Sequence, residues 1–165
     1  MSRILVFDQA RAYGFGFSQQ SQQLLPYKHR LYAADLSPSV PAAKRSPQAA
    51  PPAWVQAPLP LLVRAMVLAG ETLFIAGPPD LGMTADEATY RDYNSPDRQA
   101  SLRQQAEAWA GRRGGLLWAV SKTDGRRLAE HKLDTPPAWD GMAAANGRLY
   151  LATVDGKIFC YGDTK

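Results

Sequence analysis

The sequence has a single cysteine, Cys160, among its 165 residues. One thiol excludes a disulfide within the chain and any metal site built from several thiolates. Cys160 alternates with Phe159 and Tyr161 in a segment of strand-like composition, so we interpret it as a small apolar group within a sheet. Disulfide scaffolds and thiolate metal domains are therefore excluded as fold classes.

Long apolar runs are also missing. No stretch approaches the roughly 20 apolar residues that a membrane helix needs, so we expect no transmembrane segment. The first 17 residues, MSRILVFDQARAYGFGF, have no sustained apolar core followed by a cleavage site, and no signal peptide is visible. This pattern favours the cytoplasm only if Met1 is the true start of the protein, so the localisation stays open at this point.

Charge is neither extreme nor gathered in one place. The net charge is +4 and the isoelectric point is about 9.3, but the basic residues are scattered apart from doublets at 44–45, 112–113 and 126–127. A nucleic-acid-binding protein usually collects such residues on one face between aromatic platforms. We therefore expect no nucleic-acid partner. The fractions of hydrophobic (45%) and charged (21%) residues fit one globular domain or part of a repeat array.

What the sequence does contain is a strand–turn pattern, clearest at residues 139–162. Asn146-Gly147 and Asp155-Gly156 separate three apolar runs there. Such pairs supply the positive φ angles of tight hairpins, so the segment is predicted to be a three-stranded antiparallel meander. The same pattern recurs earlier in the chain, and Gly14 and Gly16 alternate with aromatic residues in a strand whose glycine face suits close packing. We expect strands in the segments 3–17, 27–35, 61–77 and 114–134.

Two segments interrupt the strands. The Pro-, Ala- and Ser-rich segment 36–60 is expected to be an extended loop, because dense proline cannot maintain a strand ladder or a helix. The segment 78–114 is expected to carry a surface helix. A capping-box spacing lies at 84–87, and a stronger start signal at Ser95-Pro96 opens a helix that ends at Gly111.

The helix in 78–114 provides the candidate binding residues. Leu102, Ala106 and Trp109 form a narrow stripe that we expect to lie against a sheet. The alternative is a helix that binds a partner through Trp109, with Arg112 and Arg113 beside it.

An internal repeat relates the strand pairs. Residues 66–76 match residues 142–152 without a gap, and a weaker copy starts at Leu5 and places Tyr13 opposite Phe74 and Tyr150. Repetition of a strand pair with an aromatic residue after its turn is typical of radial or solenoid β arrays. The predicted fold class is mainly all-β, a partial β-propeller of antiparallel meander blades with a helical insertion near 84–111. One domain, 1–165, would then comprise first blade strands at 3–35, the Pro-rich loop 36–60, blade strands at 61–77, the insertion 78–114 and last blade strands at 115–162.

These segments resemble a known family. LYLATVDGKIFCYG, preceded by LLWAVSKTDGRRLAEHKL, looks like the repeat of pyrroloquinoline-quinone-like (quinoprotein-like) β-propellers. Together with RILVFDQARAYGFGF, YKHRLYAAD and VRAMVLAGETLFIAGPPD, they are similar to the C-terminal part of large bacterial propeller proteins of planctomycete type. The resemblance implies a fragment of a longer, exported or periplasmic protein. Its unpaired blade edge would invite self-association.

Three functions are compatible with the resemblance. We expect a non-catalytic module without a cofactor that binds a protein or a polysaccharide through its loops. The alternatives are part of a quinone-dependent dehydrogenase-like enzyme and an outer-membrane assembly scaffold. The enzyme would need residues that this chain lacks, namely a vicinal disulfide and a calcium-binding acidic cluster.

Several single residues could be assigned catalytic roles, but each has a simpler interpretation. Trp118 and Trp139 could stack a cofactor ring, yet each lies where a packing tryptophan would. Asp124 and Asp155 belong to Asp-Gly turns, and Asp140 is a third candidate carboxylate. His29 has no acidic cluster near it in the sequence, so we expect a structural or surface role.

Overall fold

The computed structural model describes residues 2–17, 29–36, 51–81 and 95–162. The described chain is mainly β, with three antiparallel sheets and one helix, which confirms the predicted all-β class. Its elements, in chain order, are β1 Ser2–Phe7, β2 Arg11–Phe17, β3 His29–Asp35, β4 Trp54–Gln56, β5 Ala65–Ala69, β6 Thr72–Gly77, α1 Pro96–Trp109, β7 Gly115–Ser121, β8 Arg127–Leu133, β9 Pro137–Ala145, β10 Arg148–Thr153 and β11 Ile158–Tyr161.

Each sheet is a meander in which every strand pairs with the next one along the chain. Sheet 1 contains β1 to β4, sheet 2 contains β5 to β8, and sheet 3 contains β9 to β11. The β9–β10 turn has the backbone that its residues predict, since Asn146 and Gly147 have φ angles of 51° and 71°, whereas in the β10–β11 turn Gly156 is left-handed and Asp155 is not. These values are those of the hairpin turn favoured by the right-handed twist of the strands.

The three sheets are stacked in chain order. The first strand of sheet 2, β5, contacts the first strand of sheet 1 on one side and that of sheet 3 on the other. One apolar cluster fills the space between sheets 1 and 2 and includes Tyr13, Phe15, Leu73 and Ile75. A smaller cluster around Leu117 and the β10 leucines lies between sheets 2 and 3. Sheet 2 is thus covered on both faces.

Strand register places the repeat in equivalent positions. Val6 pairs with Tyr13 in sheet 1, Val67 pairs with Phe74 in sheet 2, and Ala143 pairs with Tyr150 in sheet 3. Tyr13 packs toward sheet 2, and Phe74 packs toward sheet 3. The three aromatic residues therefore occupy the same position in successive sheets, as the sequence repeat predicts.

The expectation that segment 36–60 contains no strand is wrong at its C-terminal end. Within that segment, Trp54–Gln56 forms β4, in which Trp54 lies opposite Ala33 of β3. Prolines 51, 52 and 58 flank these three residues without interrupting them. The strand forms because the Trp54 side chain is buried and because the edge of β3 offers backbone N–H and C=O groups with which β4 pairs. Residues 37–50 lie outside the described part of the chain.

The helix begins after Ser95, as predicted, but of the expected apolar stripe only Trp109 packs against the core. Leu102 is 49% exposed and Ala106 is also exposed, whereas Ala108 is fully buried. Polar contacts orient the helix, since the Gln105 side chain accepts a hydrogen bond from the Leu81 N–H (2.7 Å) and donates one to the Pro79 carbonyl (3.1 Å). The capping-box residues 84–87 lie outside the described chain.

Candidate functional site

A cleft of about 690 Å³ opens between sheets 2 and 3. It lies at the end of the stack where the β5–β6 and β9–β10 turns meet. Sheet 2 contributes small and aromatic side chains, and sheet 3 contributes a turn and the end of β11. The lining residues are Ala69, Gly70, Thr72, Phe74, Leu117, Ala119, Ala129, Glu130, His131, Ala144, Ala145, Asn146, Gly147, Arg148, Leu149, Tyr161 and Gly162.

The cleft exists because an alanine occupies a position that holds a tryptophan in the preceding sheet. Across sheet 1 the register aligns Tyr13 with Ala33 and then with Trp54. Across sheet 2 the equivalent row is Phe74, Ala119 and Ala129. Ala129 is therefore the counterpart of Trp54, and the space that an indole fills between sheets 1 and 2 is open between sheets 2 and 3.

In the first interface the Trp54 indole is closely held. Its Nε1 donates a hydrogen bond to the Lys122 carbonyl at 2.9 Å, and its ring lies 6.1 Å from the ring of Tyr13. Only 9% of the residue is exposed. This environment indicates what the open position in the second interface can accept, namely a flat aromatic group with one polar edge.

Aromatic rings form the outer wall of the cleft. The Tyr161 ring meets the His131 ring edge-on at 5.5 Å and stacks on Phe159 at 6.4 Å. Burial, followed by the negative charge of Asp134, raises the pKa of Tyr161 above its ordinary value. Tyr161 therefore remains a neutral phenol, whose hydroxyl group can donate or accept a hydrogen bond.

The two charged residues of the lining, Glu130 and Arg148, have their charged groups engaged outside the cleft. Glu130 is already engaged, because one of its carboxylate oxygens accepts hydrogen bonds from the Trp118 indole (2.9 Å) and the Arg127 guanidinium. A guanidinium nitrogen of Arg148 lies 3.8 Å from the sulfur of Cys160. Cys160 lies on the face of sheet 3 away from sheet 2, so the cleft has an apolar, aromatic interior and the Arg148 guanidinium is directed away from it.

The candidate residues predicted from the sequence lie outside this cleft. Trp109 is half-buried and packs beneath the guanidinium of Arg64, which lies 4.8 Å from its ring centre. Arg113 binds Glu107 through two hydrogen bonds of 2.9 and 2.8 Å, and Arg112 is exposed. Binding of a partner by Trp109, Arg112 and Arg113 stays a prediction.

His29 is buried, not exposed, and has an acidic neighbour. Its Nδ1 lies 3.2 Å from a carboxylate oxygen of Asp80, and its ring stacks on Phe15 at 5.1 Å. Asp80 lies 51 residues further along the chain, so sequence proximity could not reveal it. A stacked ring in a hydrogen-bonded pair fits the structural role expected for His29.

The other candidate residues do not converge on one site. Trp118 is buried between sheets 1 and 2 beneath the Arg127 guanidinium (4.9 Å), whereas Trp139 is 57% exposed. Asp124 accepts hydrogen bonds within its own turn, from the Ser121 side chain and the Arg126 N–H, and both lower its pKa. A hydrogen bond from Lys157, followed by one from Thr153, lowers the pKa of Asp155 to about 2.

Two further classes of site have no candidate in residues 2–17, 29–36, 51–81 and 95–162. No group of three or more His, Cys, Asp or Glu side chains there is arranged to hold a metal ion. No helix in the same residues has the length and apolar character to cross a membrane. The second finding is consistent with the absence of a transmembrane segment predicted from the sequence.

Sequence reasoning missed the cleft. The available signal was the row of cross-strand partners, which shows alanine at 129 where the preceding sheet has tryptophan at 54. The equivalence of residues 54 and 129 can be recognised only when the pairing registers of β3 with β4 and of β7 with β8 are known. The sequence did not predict β4. Comparison with known proteins adds no relative for this chain, because no protein-family model and no curated protein matches it.

Proposed function

We propose that this chain is a non-catalytic repeat module of β-propeller type that binds a protein partner. The partner inserts an aromatic side chain into the cleft between sheets 2 and 3. The observation that carries the proposal is that Ala129 stands at the position of Trp54, so an indole-sized site remains open in one of two equivalent interfaces.

The chemistry of the cleft favours a protein ligand over a polysaccharide. Its floor consists of alanine methyl groups and the Phe74 ring, and its outer wall is the Tyr161–His131 pair. A sugar ring would need several polar partners on this floor, whereas an aromatic side chain needs apolar contact and one hydrogen bond. Tyr161 lines the cleft, and its side chain carries a hydroxyl group of the kind that can donate this bond.

An extended peptide also has a place beside the cleft. Sheets 1 and 2 contain four strands each and sheet 3 contains three, so the outer edge of β11 has no partner strand in the described chain. A peptide added there would gain main-chain hydrogen bonds, while one of its side chains entered the cleft. Binding of this kind requires no catalytic group.

The family resemblance supports the type of module but adds no residue to the site. A repeat module of β-propeller type has stacked meanders, and the three sheets described here have that local topology. A quinone-dependent dehydrogenase would need a ring-stacking surface. Of the two candidate tryptophans, Trp118 cannot provide it, since it is 4% exposed and lies beneath Arg127, whereas Trp139 is 57% exposed.

The test is a titration of the protein with N-acetyltryptophanamide, in which the chemical shifts of the protein's backbone amides are measured. We expect shifts at Phe74, Ala129 and Tyr161 that saturate, and we expect cellohexaose to leave these amides unchanged. Ala129→Trp fills the site and should abolish the shifts. Leu128→Trp is the matched control, because Leu128 is 47% exposed and does not line the cleft.

Two results would contradict the proposal. If neither probe perturbs the cleft amides, the cleft is not a binding site. If cellohexaose perturbs them and the indole probe does not, the ligand is a glycan and the assignment to a protein partner is wrong.

A further inference from the structure

The stack of sheets ends in two faces with exposed apolar side chains that are uncovered in the described chain. Tyr32 and Arg30 lie beside them on sheet 1, and Arg148 lies beside them on sheet 3. On sheet 1, Leu5 and Phe7 alternate with the buried side chains and are 50% and 70% exposed. On sheet 3, Tyr150 and Cys160 form a pair on the side away from sheet 2, next to Ile158, which is 75% exposed. We call these surfaces the Leu5 face and the Tyr150 face.

The Leu5 face has a covered counterpart in sheet 2. Register makes Leu5 and Phe7 equivalent to Met66 and Leu68, because each pair flanks the valine opposite the aromatic residue of the repeat. Met66 and Leu68 pack against sheet 1 in the first interface, where Met66 is only 2% exposed. The Leu5 face therefore has the strand positions that, in sheet 2, contact a preceding sheet.

The Tyr150 face has covered counterparts in the two preceding sheets. Tyr13 and Phe74 occupy the equivalent position, and each packs on the following sheet. Tyr13 is 1% exposed, whereas Tyr150 keeps intermediate exposure and its strand neighbours Ala143 and Cys160 are exposed. The Tyr150 face therefore has the positions that, elsewhere in this chain, contact a following sheet.

The Leu5 face and the Tyr150 face correspond to the two surfaces that meet between sheets 1 and 2, and again between sheets 2 and 3. We propose that the Leu5 face of one copy of this chain packs on the Tyr150 face of a second copy, in the order in which its own sheets stack. The chain itself indicates this occupant. In its two internal interfaces, the residue equivalent to Tyr150 is covered by the residues of the following sheet that are equivalent to Leu5 and Phe7.

Contact between the Leu5 face of one copy and the Tyr150 face of another can produce two kinds of assembly. If both pairs of faces meet between two copies, a closed assembly of six sheets forms and neither apolar face remains exposed. A contact that does not close would add copies indefinitely. The closed pair satisfies both faces with the fewest chains. It differs from pairing of two β11 edges, in which each copy would contribute the same strand and sheet 1 would take no part.

The experiment blocks one face at a time and measures mass by light scattering during size-exclusion chromatography. We expect the unmodified chain to have twice the 18.0 kDa of one copy. Phe7→Asp blocks the Leu5 face and Ile158→Asp blocks the Tyr150 face, so each variant alone should have the mass of a single chain. An equimolar mixture should recover the doubled mass, because one intact face remains on each partner.

Controls separate loss of contact from loss of fold. Leu102→Asp places the same charge at a site that is 49% exposed on α1, and it should leave the doubled mass unchanged. Circular dichroism and thermal melting should match the unmodified chain for all variants, and Cys160→Asp replaces Ile158→Asp if that variant does not fold. Three results overturn the proposal: a single-chain mass for the unmodified protein at micromolar to millimolar concentration, a Phe7→Asp variant that still pairs, or a mixture that does not reassociate.

Discussion

The indole ring of Trp54 lies against the backbone of Gly125, so close that a methyl group at residue 125 would fall 2.5 Å from Cε3 of the ring. Gly125 belongs to the β7–β8 turn of sheet 2, and Trp54 belongs to the outer strand of sheet 1. This contact fastens the outer edges of the two sheets together. The interface between sheets 2 and 3 lacks it, and the cleft lies there.

Replacing Trp54 with alanine should lower the free energy of unfolding by about 3–5 kcal/mol, the range for truncating a large buried aromatic residue. The loss has two sources, the cavity and the unpaired Lys122 carbonyl. Trp139→Ala is the control, because Trp139 is 57% exposed and its removal should cost within about 0.5 kcal/mol. Urea unfolding of both variants measures the difference, and equal losses would show that Trp54 does not hold the sheets together.

Gly125→Ala should destabilise the chain more than Gly156→Ala. Both glycines have left-handed backbones, with φ angles of 76° and 81°, so both variants pay about 1–2 kcal/mol of backbone strain. A Cβ at 156 meets nothing within 4 Å, whereas a Cβ at 125 meets the Trp54 ring. We expect an additional loss of at least about 1 kcal/mol for Gly125→Ala from overpacking. A Gly125→Ala, Trp54→Ala double variant should recover that additional part, and if it does not, the ring contact is not the cause.

Asp155 should contribute to stability in a pH-dependent way. Its pKa falls from an ordinary 3.8 to about 2 because Lys157 and Thr153 donate hydrogen bonds to the carboxylate. The folded state therefore binds this proton less readily than the unfolded state. The contribution is complete above about pH 4 and is lost as the pH falls toward 2. Thermal midpoints of the unmodified chain and of Asp155→Asn should differ at pH 6 and converge near pH 2, and a constant difference would contradict the assignment.

The local part of the fold was predictable because turn chemistry is local. Asn146 and Gly147 are both left-handed in the β9–β10 turn, and Gly156 is the left-handed residue of the β10–β11 turn, so the three strands of sheet 3 follow from the sequence. The start of α1 follows from Ser95 and Pro96 in the same way.

The non-local part was not predictable by the same reasoning. β4 is three residues long, and it forms because Ala33 and the backbone of β3 lie beside it. The buried side of α1 depends on Gln105 reaching the Pro79 carbonyl, a contact between segments distant in the chain. The cleft depends on the relation between residues 54 and 129, which is visible only after both sheets are assembled. Each of these features depends on tertiary contacts rather than on local propensity.

The central claim is that two equivalent interfaces differ in one respect: the first is filled by an indole and the second is open. Ala33 and Ala119 occupy the same position in the two sheets, so the same enlargement can be compared in both. Ala33 is fully buried beside Trp54, whereas Ala119 lines the cleft.

The most direct measurement is the free energy of unfolding of Ala33→Leu and Ala119→Leu, by urea denaturation under identical conditions. Ala33→Leu should lose about 1–3 kcal/mol, because a filled interface has no room for the added methyl groups. Ala119→Leu should change stability by less than about 0.5 kcal/mol or increase it, because its side chain extends into open space. Equal losses in the two variants would contradict the claim, since they would mean that the second interface is as tightly packed as the first.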